Sequence, residues 1–188
     1  YSAPTPWGSL TGIRPTHLYR QLSQAHGTAA AQGLLLHHFD VSPGKLRLLQ
    51  EISAVQAPIL ASVTDRDVDV YIGIPFCPSR CLYCSFLSQV RTPKTDMAAY
   101  LFALEQDISL GAALLSRSGY RLRALYVGGG TPTALTAAEL HRLLSHALAA
   151  YHGFGREFTV EAGRPDSITG EKLRVLRGLG VTRICINP

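Results

Sequence analysis

Three cysteines fall within eight residues, in Tyr71-Ile-Gly-Ile-Pro-Phe-Cys77-Pro-Ser-Arg-Cys81-Leu-Tyr-Cys84-Ser-Phe86. Their spacing is C-x3-C-x2-C. Thiolates are the usual protein ligands of iron–sulfur clusters. Three on one short loop bind three corners of a [4Fe–4S] cubane and leave the fourth iron open to an external chelating ligand. Four thiolates would favour simple electron transfer; an open iron permits chemistry at the cluster. Structural zinc usually shows two separated ligand pairs, so here it would need Cys185 or a distant histidine as fourth ligand. The histidines (His17, His26, His37, His38, His141, His146, His152) show no metal spacing near the cysteines.

Two more groups bear on chemistry. Gly128-Gly129-Gly130 precedes Thr131-Pro132-Thr133. Without side chains, such a backbone lets a ligand approach closely and offers it polar groups. A strand-to-helix turn that needs positive φ is the plainer reading. Glu161 follows the apolar run Phe158–Val160. A carboxylate there can accept hydrogen bonds from a ligand, or is merely solvated.

The elements that must position these groups alternate. Val68–Ile74 is apolar, β-branched and stopped by Pro75, which predicts a strand. Met97, Leu101, Leu104, Ile108 and Leu115 form one helical stripe. Leu122–Val127 predicts a second strand, ending in the glycines. Thr136 and Glu139 form a capping box before Leu140, Leu144, Leu148 and Tyr151. Phe158–Val160, a helix over Glu171–Arg177 and a strand over Val181–Ile186 follow. This alternation predicts an α/β fold with parallel strands and right-handed crossovers. Ligands of such sheets gather at the C-terminal strand ends. The cysteine loop, the glycines and Glu161 each follow a successive strand, so all the candidate chemistry falls on one edge.

The first 66 residues read differently. Trp7-Gly8 and Gly12-Ile-Arg-Pro-Thr16 look like a turn-rich lead-in. Ser42-Pro43 reads as an N-cap with proline at the first helical position, before Leu46, Leu49 and Ile52. The expected organisation is a mixed, mostly helical appendage over residues 1–66 and a sheet domain over 67–188.

With an aromatic, Tyr83, before its third cysteine, this loop resembles the signature of radical S-adenosylmethionine (SAM) enzymes. The Ile-Pro-Phe-Cys flank, Gly-Gly-Gly-Thr-Pro-Thr and Val160-Glu-Ala-Gly-Arg-Pro-Asp166 are similar to the oxygen-independent coproporphyrinogen III oxidase group. Cys84-Ser-Phe86 and the Gly-Ile-Arg-Pro-Thr lead-in are most similar to its HemZ-like coproporphyrinogen dehydrogenase branch. The resemblance covers nearly the whole chain. It implies the first half of a partial (β/α) barrel, with a [4Fe–4S] cluster on Cys77, Cys81 and Cys84. It further implies SAM contacts at Tyr71, Gly129, Gly130, Thr131 and Glu161, the last to the ribose hydroxyls. Reductive cleavage of SAM would yield a 5′-deoxyadenosyl radical that drives decarboxylation of coproporphyrinogen III. A flavodoxin or ferredoxin would serve as electron donor. A haem-binding chaperone of the same superfamily, or another substrate, is the alternative. Two positions depart from the oxidases proper: Phe86 stands where they carry a further cysteine, and Cys185 where serine is expected. Cys185 is expected to be a small buried residue and not a ligand.

Composition narrows the class. With 46% hydrophobic and 16% charged residues a sizeable core can form. Lysine and arginine outnumber acidic residues 18 to 13, a mild excess that suits an anionic small molecule. The arginines are scattered, without the basic stripe of a nucleic-acid binder. Bunched cysteines do not read as a secreted disulfide framework, so a reducing cytoplasm is expected. No apolar run is expected to reach the roughly 18 residues of a membrane span. The start at Tyr1 and the stop at Asn187-Pro188 read as cuts in a longer chain.

Overall fold

The computed structural model describes residues 5–186, so Asn187 and Pro188 lie outside the described residues. The chain divides into two compact units, Tyr1–Thr64 and Asp65–Pro188. The first holds three helices, α1 (Pro15–His26), α2 (Thr28–His37) and α3 (Pro43–Ala61). Proline at the first helical position starts two of them, because its absent N–H would be unpaired there anyway. In α3, Ser42 caps the helix by accepting from the Lys45 amide. In α1, Pro15 and Thr16 open the helix, where a turn was expected; the fixed φ of proline is ready-made for either. Tyr19, Ala31, Leu35, Val41, Leu46 and Leu49 form the core of this unit.

The second unit is a four-stranded parallel sheet of β1 (Asp67–Ile74), β4 (Arg121–Gly129), β5 (Glu157–Gly163) and β6 (Arg183–Ile186), in that spatial order. Two-residue strands β2 (Phe76–Cys77) and β3 (Gln89–Val90) pair with each other inside the cysteine-bearing connection. Helices α4 (Met97–Arg117), α5 (Ala137–Ala150) and α6 (Gly170–Gly178) fill the crossovers. Alternation sorts the side chains. Ile72, Ile74, Leu125, Val127, Phe158 and Val160 join Leu101, Ile108, Leu140 and Leu144 in one core. Tyr71, Tyr126 and Glu161 are of the opposite parity and meet on the other face. Arg121–Asp67 and Arg123–Asp69 ion pairs fix the start of the β1–β4 register.

The expected strands and helices are present, and their limits move at the points that matter. The second strand runs on through Gly128 and Gly129, and β5 extends past Glu161 to Gly163. Glycine is a poor strand former, yet here it pairs because Ile74 lies opposite Gly129. The capping box at Thr136 and Glu139 is formed.

Helix α4 corrects the expectation about apolar runs. It is long and apolar enough, by length and composition, to cross a membrane. Glu105-Gln106-Asp107 break its apolar sequence at the middle, which hid the run. Glu105 at its middle is buried and holds a bidentate pair with Arg142 of α5, at 2.7 and 2.6 Å. The hydrogen bonds from Arg142 hold the Glu105 carboxyl below its ordinary value of 4.5, against the opposing effect of burial. A depressed carboxyl stabilises the fold above its unfolded value and loses that contribution as pH falls through the folded one. Glu105→Gln should therefore cost about 1–2 kcal/mol at neutral pH. The gap to wild type should close below pH 4.5. Urea midpoints measured across pH test this, and a gap independent of pH would refute it.

Candidate functional site

The C-terminal ends of β1, β4 and β5 surround a cavity of about 750 Å3. Its walls include Tyr71, Gly129, Gly130 and Glu161, together with Phe86 and Leu87 from the segment after the cysteines. Four of the five expected SAM contacts thus share one cavity. Tyr71, half-exposed on β1, stacks on Tyr126 of β4, with centroids 5.7 Å apart and planes 17° from parallel. Tyr126 donates its hydroxyl to Glu161 Oε1 at 2.7 Å. That hydrogen bond, reinforced by burial and by the carboxylate charge, pushes the Tyr126 hydroxyl well above its usual range, so it stays a donor. The sequence reading missed Tyr126. Its signal was the period of two that sets Tyr126 and Gly128 on one face.

The glycines serve by what they lack. A Cβ on Gly128 would stand 3.0 Å from the Glu161 carboxylate and 2.9 Å from the Tyr126 ring. One on Gly129, whose φ is +109°, would stand 2.8 Å from Ile74 O; one on Gly130 would stand 2.7 Å from Phe76 O and 2.9 Å from Cys77 Sγ. The Gly130 amide is already spent on Ile74 O at 2.7 Å. These residues therefore give the cavity a flat wall more than free donors.

Thr131 lies apart from the cavity wall. It is buried, its amide donates to Phe76 O at 2.8 Å, and its hydroxyl donates to Cys77 Sγ at 3.4 Å. Thr133 donates to Ala162 O and meets Ser167 Oγ at 2.6 Å. Lys172 donates to Thr133 O and Ser167 O. This network locks the glycine-threonine loop to the exit of β5.

The cysteine loop is tied at both ends. Arg91 donates its amide to Cys77 O at 2.9 Å and grips Glu139 through both terminal nitrogens, at 2.7 and 2.8 Å. Glu139 therefore caps α5 and anchors the loop at once. Burial opposes its charged form, but hydrogen bonds from Arg91 and Thr136 outweigh that and hold its carboxyl below the usual range. Between the ties, Cys77, Cys81 and Cys84 are free thiols, each half-buried. The Cys84 amide closes a turn on Cys81 O at 3.1 Å. Among the described residues, no three His, Cys, Asp or Glu side chains are gathered as a metal-holding group. The donor set still fits an iron–sulfur cluster: three thiols outside any disulfide on one loop and no competing carboxylate within it. Leu82, Tyr83, Phe86 and Leu87 stand exposed around them, an apolar fringe of the kind that tunes a cluster's surroundings.

Cys185 departs from the buried position expected. It is half-buried on β6, opposite Glu161 and beside the Tyr126 hydroxyl. Among the described residues β6 pairs with β5 alone, and its Ile184 and Ile186 are exposed too. His146 pairs with Ser109 and the Glu105 carbonyl, away from the cavity.

Residues 71–188 match the profile of the radical SAM superfamily. The chain is 38% identical over 189 residues to the oxygen-independent coproporphyrinogen-III oxidase-like protein HemZ of Bacillus subtilis, covering 97% of this chain and 38% of that one. It is 35% identical over 116 residues to the heme chaperone HemW of Bacillus subtilis, covering 61% of this chain and 30% of that one. Among solved structures, the coproporphyrinogen III oxidase HemN of Escherichia coli, described as a radical SAM enzyme, superposes with a TM-score of 0.57. It is 32% identical, over 72% of this chain and 30% of that one. The chain thus spans between 30% and 38% of these relatives. The parallel sheet corresponds to part of a radical SAM barrel, and the chain belongs to the radical SAM superfamily.

Proposed function

We propose that Cys77, Cys81 and Cys84 hold a [4Fe–4S] cluster and that the cavity beside them takes SAM. The observation that carries this reading is the shared cavity of Tyr71, Gly129, Gly130 and Glu161 at the strand ends that also carry the cysteine loop. When bound, the cluster and SAM supply a 5′-deoxyadenosyl radical by one-electron cleavage of SAM. Glu161 accepts from the ribose hydroxyls, held in orientation by the Tyr126 donor. Gly128 leaves the room that the carboxylate needs. The exposed ring of Tyr71 offers an apolar wall, and the closed β1–β4 ladder beneath excludes water from one side.

The reaction we propose is oxygen-independent decarboxylation of coproporphyrinogen III to protoporphyrinogen IX. Hydrogen is abstracted from a propionate chain. Loss of CO2 and of one electron to an acceptor leaves a vinyl group, and two of the four propionate chains undergo this in turn, each consuming one SAM. The similarity to HemZ along 97% of this chain supports this substrate. Similarity to HemW supports a second reading, haem binding as a chaperone. The full-length protein, reconstituted with iron and sulfide without oxygen, separates them. With SAM, a reductant and coproporphyrinogen III it should form 5′-deoxyadenosine and the vinyl product. Deoxyadenosine alone points to another substrate; stoichiometric haem binding without turnover points to the chaperone.

A further inference from the structure

We infer that Arg164 is a positioning residue for the cysteine loop and the counter-charge to its middle sulfur. Strand β5 ends at Gly163, whose φ of +74° turns the chain. A Cβ there would stand 2.4 Å from Thr131 Cγ2, so the exit of β5 bends tightly around the glycine-threonine loop. The bend delivers Arg164 to a loop 83 residues earlier in the chain. Its Nη1 donates to Cys81 Sγ at 3.2 Å and its Nη2 to Ser79 Oγ at 2.6 Å.

The guanidinium is braced from behind. Asp166 takes Nε at 3.2 Å and Nη2 at 2.6 Å. The Arg164 carbonyl accepts from the Ser167 amide at 3.0 Å and its hydroxyl at 2.9 Å. Ser167 in turn belongs to the buried network with Thr133 and Lys172. One planar fork therefore holds Ser79, Cys81 and Asp166 together, a geometry that an ammonium cannot reproduce. Glu161 and Arg164 sit on the same strand end, so a single element places both the proposed ribose acceptor and the loop clamp. A donor to a cluster sulfur also favours the more reduced, more negative state, because it neutralises part of the added charge.

This inference rests on the ligand reading of the cysteines, and its test keeps the two apart. In cluster-free protein, hydrogen exchange over residues 78–84 should accelerate roughly tenfold in Arg164→Met. In reconstituted protein, the same variant should show about a tenfold lower ratio of reduced to oxidised cluster at a fixed potential, a midpoint about 59 mV more negative. Arg164→Lys keeps the charge but not the fork. Its midpoint should stay near wild type while its loop exchanges as fast as in Arg164→Met. Asp166→Asn, at an exposed position, should quicken loop exchange less than Arg164→Met does and, because it removes a negative charge, should leave the midpoint unmoved or slightly more positive. Wild-type exchange and midpoint in Arg164→Met overturn the inference. Faster exchange with an unmoved midpoint overturns the counter-charge role. A wild type that takes up no cluster, with the loop still loosened in Arg164→Met, supports the clamp and sinks the ligand reading instead.

Discussion

Replacing any one of Cys77, Cys81 or Cys84 by alanine is expected to remove the brown visible absorbance and the bound iron and sulfide of anaerobically reconstituted protein. Cys185→Ala is expected to keep all three. Two remaining thiolates cannot hold a cubane whose fourth corner the protein leaves open. Changes to groups that merely touch ligands already cost about 10–100-fold in affinity, so loss of a ligand costs more. The fold itself should survive. The three cysteines are half-buried and outside the hydrophobic core. Cys185 is the proper control because it is equally half-buried and free, yet it sits on β6 opposite Glu161, apart from the loop. Loss of the cluster in Cys185→Ala, or stoichiometric zinc in place of iron, would refute the assignment.

What the sequence shows of this site follows from how local each signal is. The cysteine spacing, the glycine run and the capping box are contiguous, and each was legible as it stood. Strand periodicity located the sheet, because a half-buried strand must alternate. Three features stayed hidden because they depend on partners far along the chain. Arg164 reads as an ordinary loop arginine until β5 brings it to Ser79 and Cys81. Tyr126 reads as a core aromatic until it meets Glu161. Glu139 reads as a helix cap, and only the fold adds Arg91 to it. The half-burial of Cys185 was hidden for another reason. Burial on β6 depends on what lies beside that strand, and among the described residues it pairs with β5 alone.

Gly129→Ala is expected to destabilise the second unit by about 3 kcal/mol, combining a strained backbone conformation with an overpacked contact. Two independent facts set this size. The φ of +109° lies where an L side chain is strained whatever the space. The added carbon would also meet Ile74 O at 2.8 Å and Ile74 N at 3.0 Å, which are backbone atoms of its ladder partner. A flexible side chain could swing away; the β1 backbone cannot move without breaking the pairing that ends in the cysteine loop. Gly178→Ala is the matched control. Gly178 ends α6, and a Cβ there meets nothing within 4 Å. Alanine should be neutral or better by up to about 1 kcal/mol, through helix propensity. Denaturant midpoints of the two variants against wild type decide it, and a Gly129→Ala shift as small as that of Gly178→Ala would refute the argument. A large shift separates the two readings of the glycine run. A turn that needs only positive φ would tolerate asparagine or aspartate, which reach that region at modest cost. A backbone pressed against Ile74 tolerates no Cβ at all, so Gly129→Asn should be no milder than Gly129→Ala. That is the behaviour of a wall kept bare at the point where β1, β4 and the cysteine loop converge on one cavity.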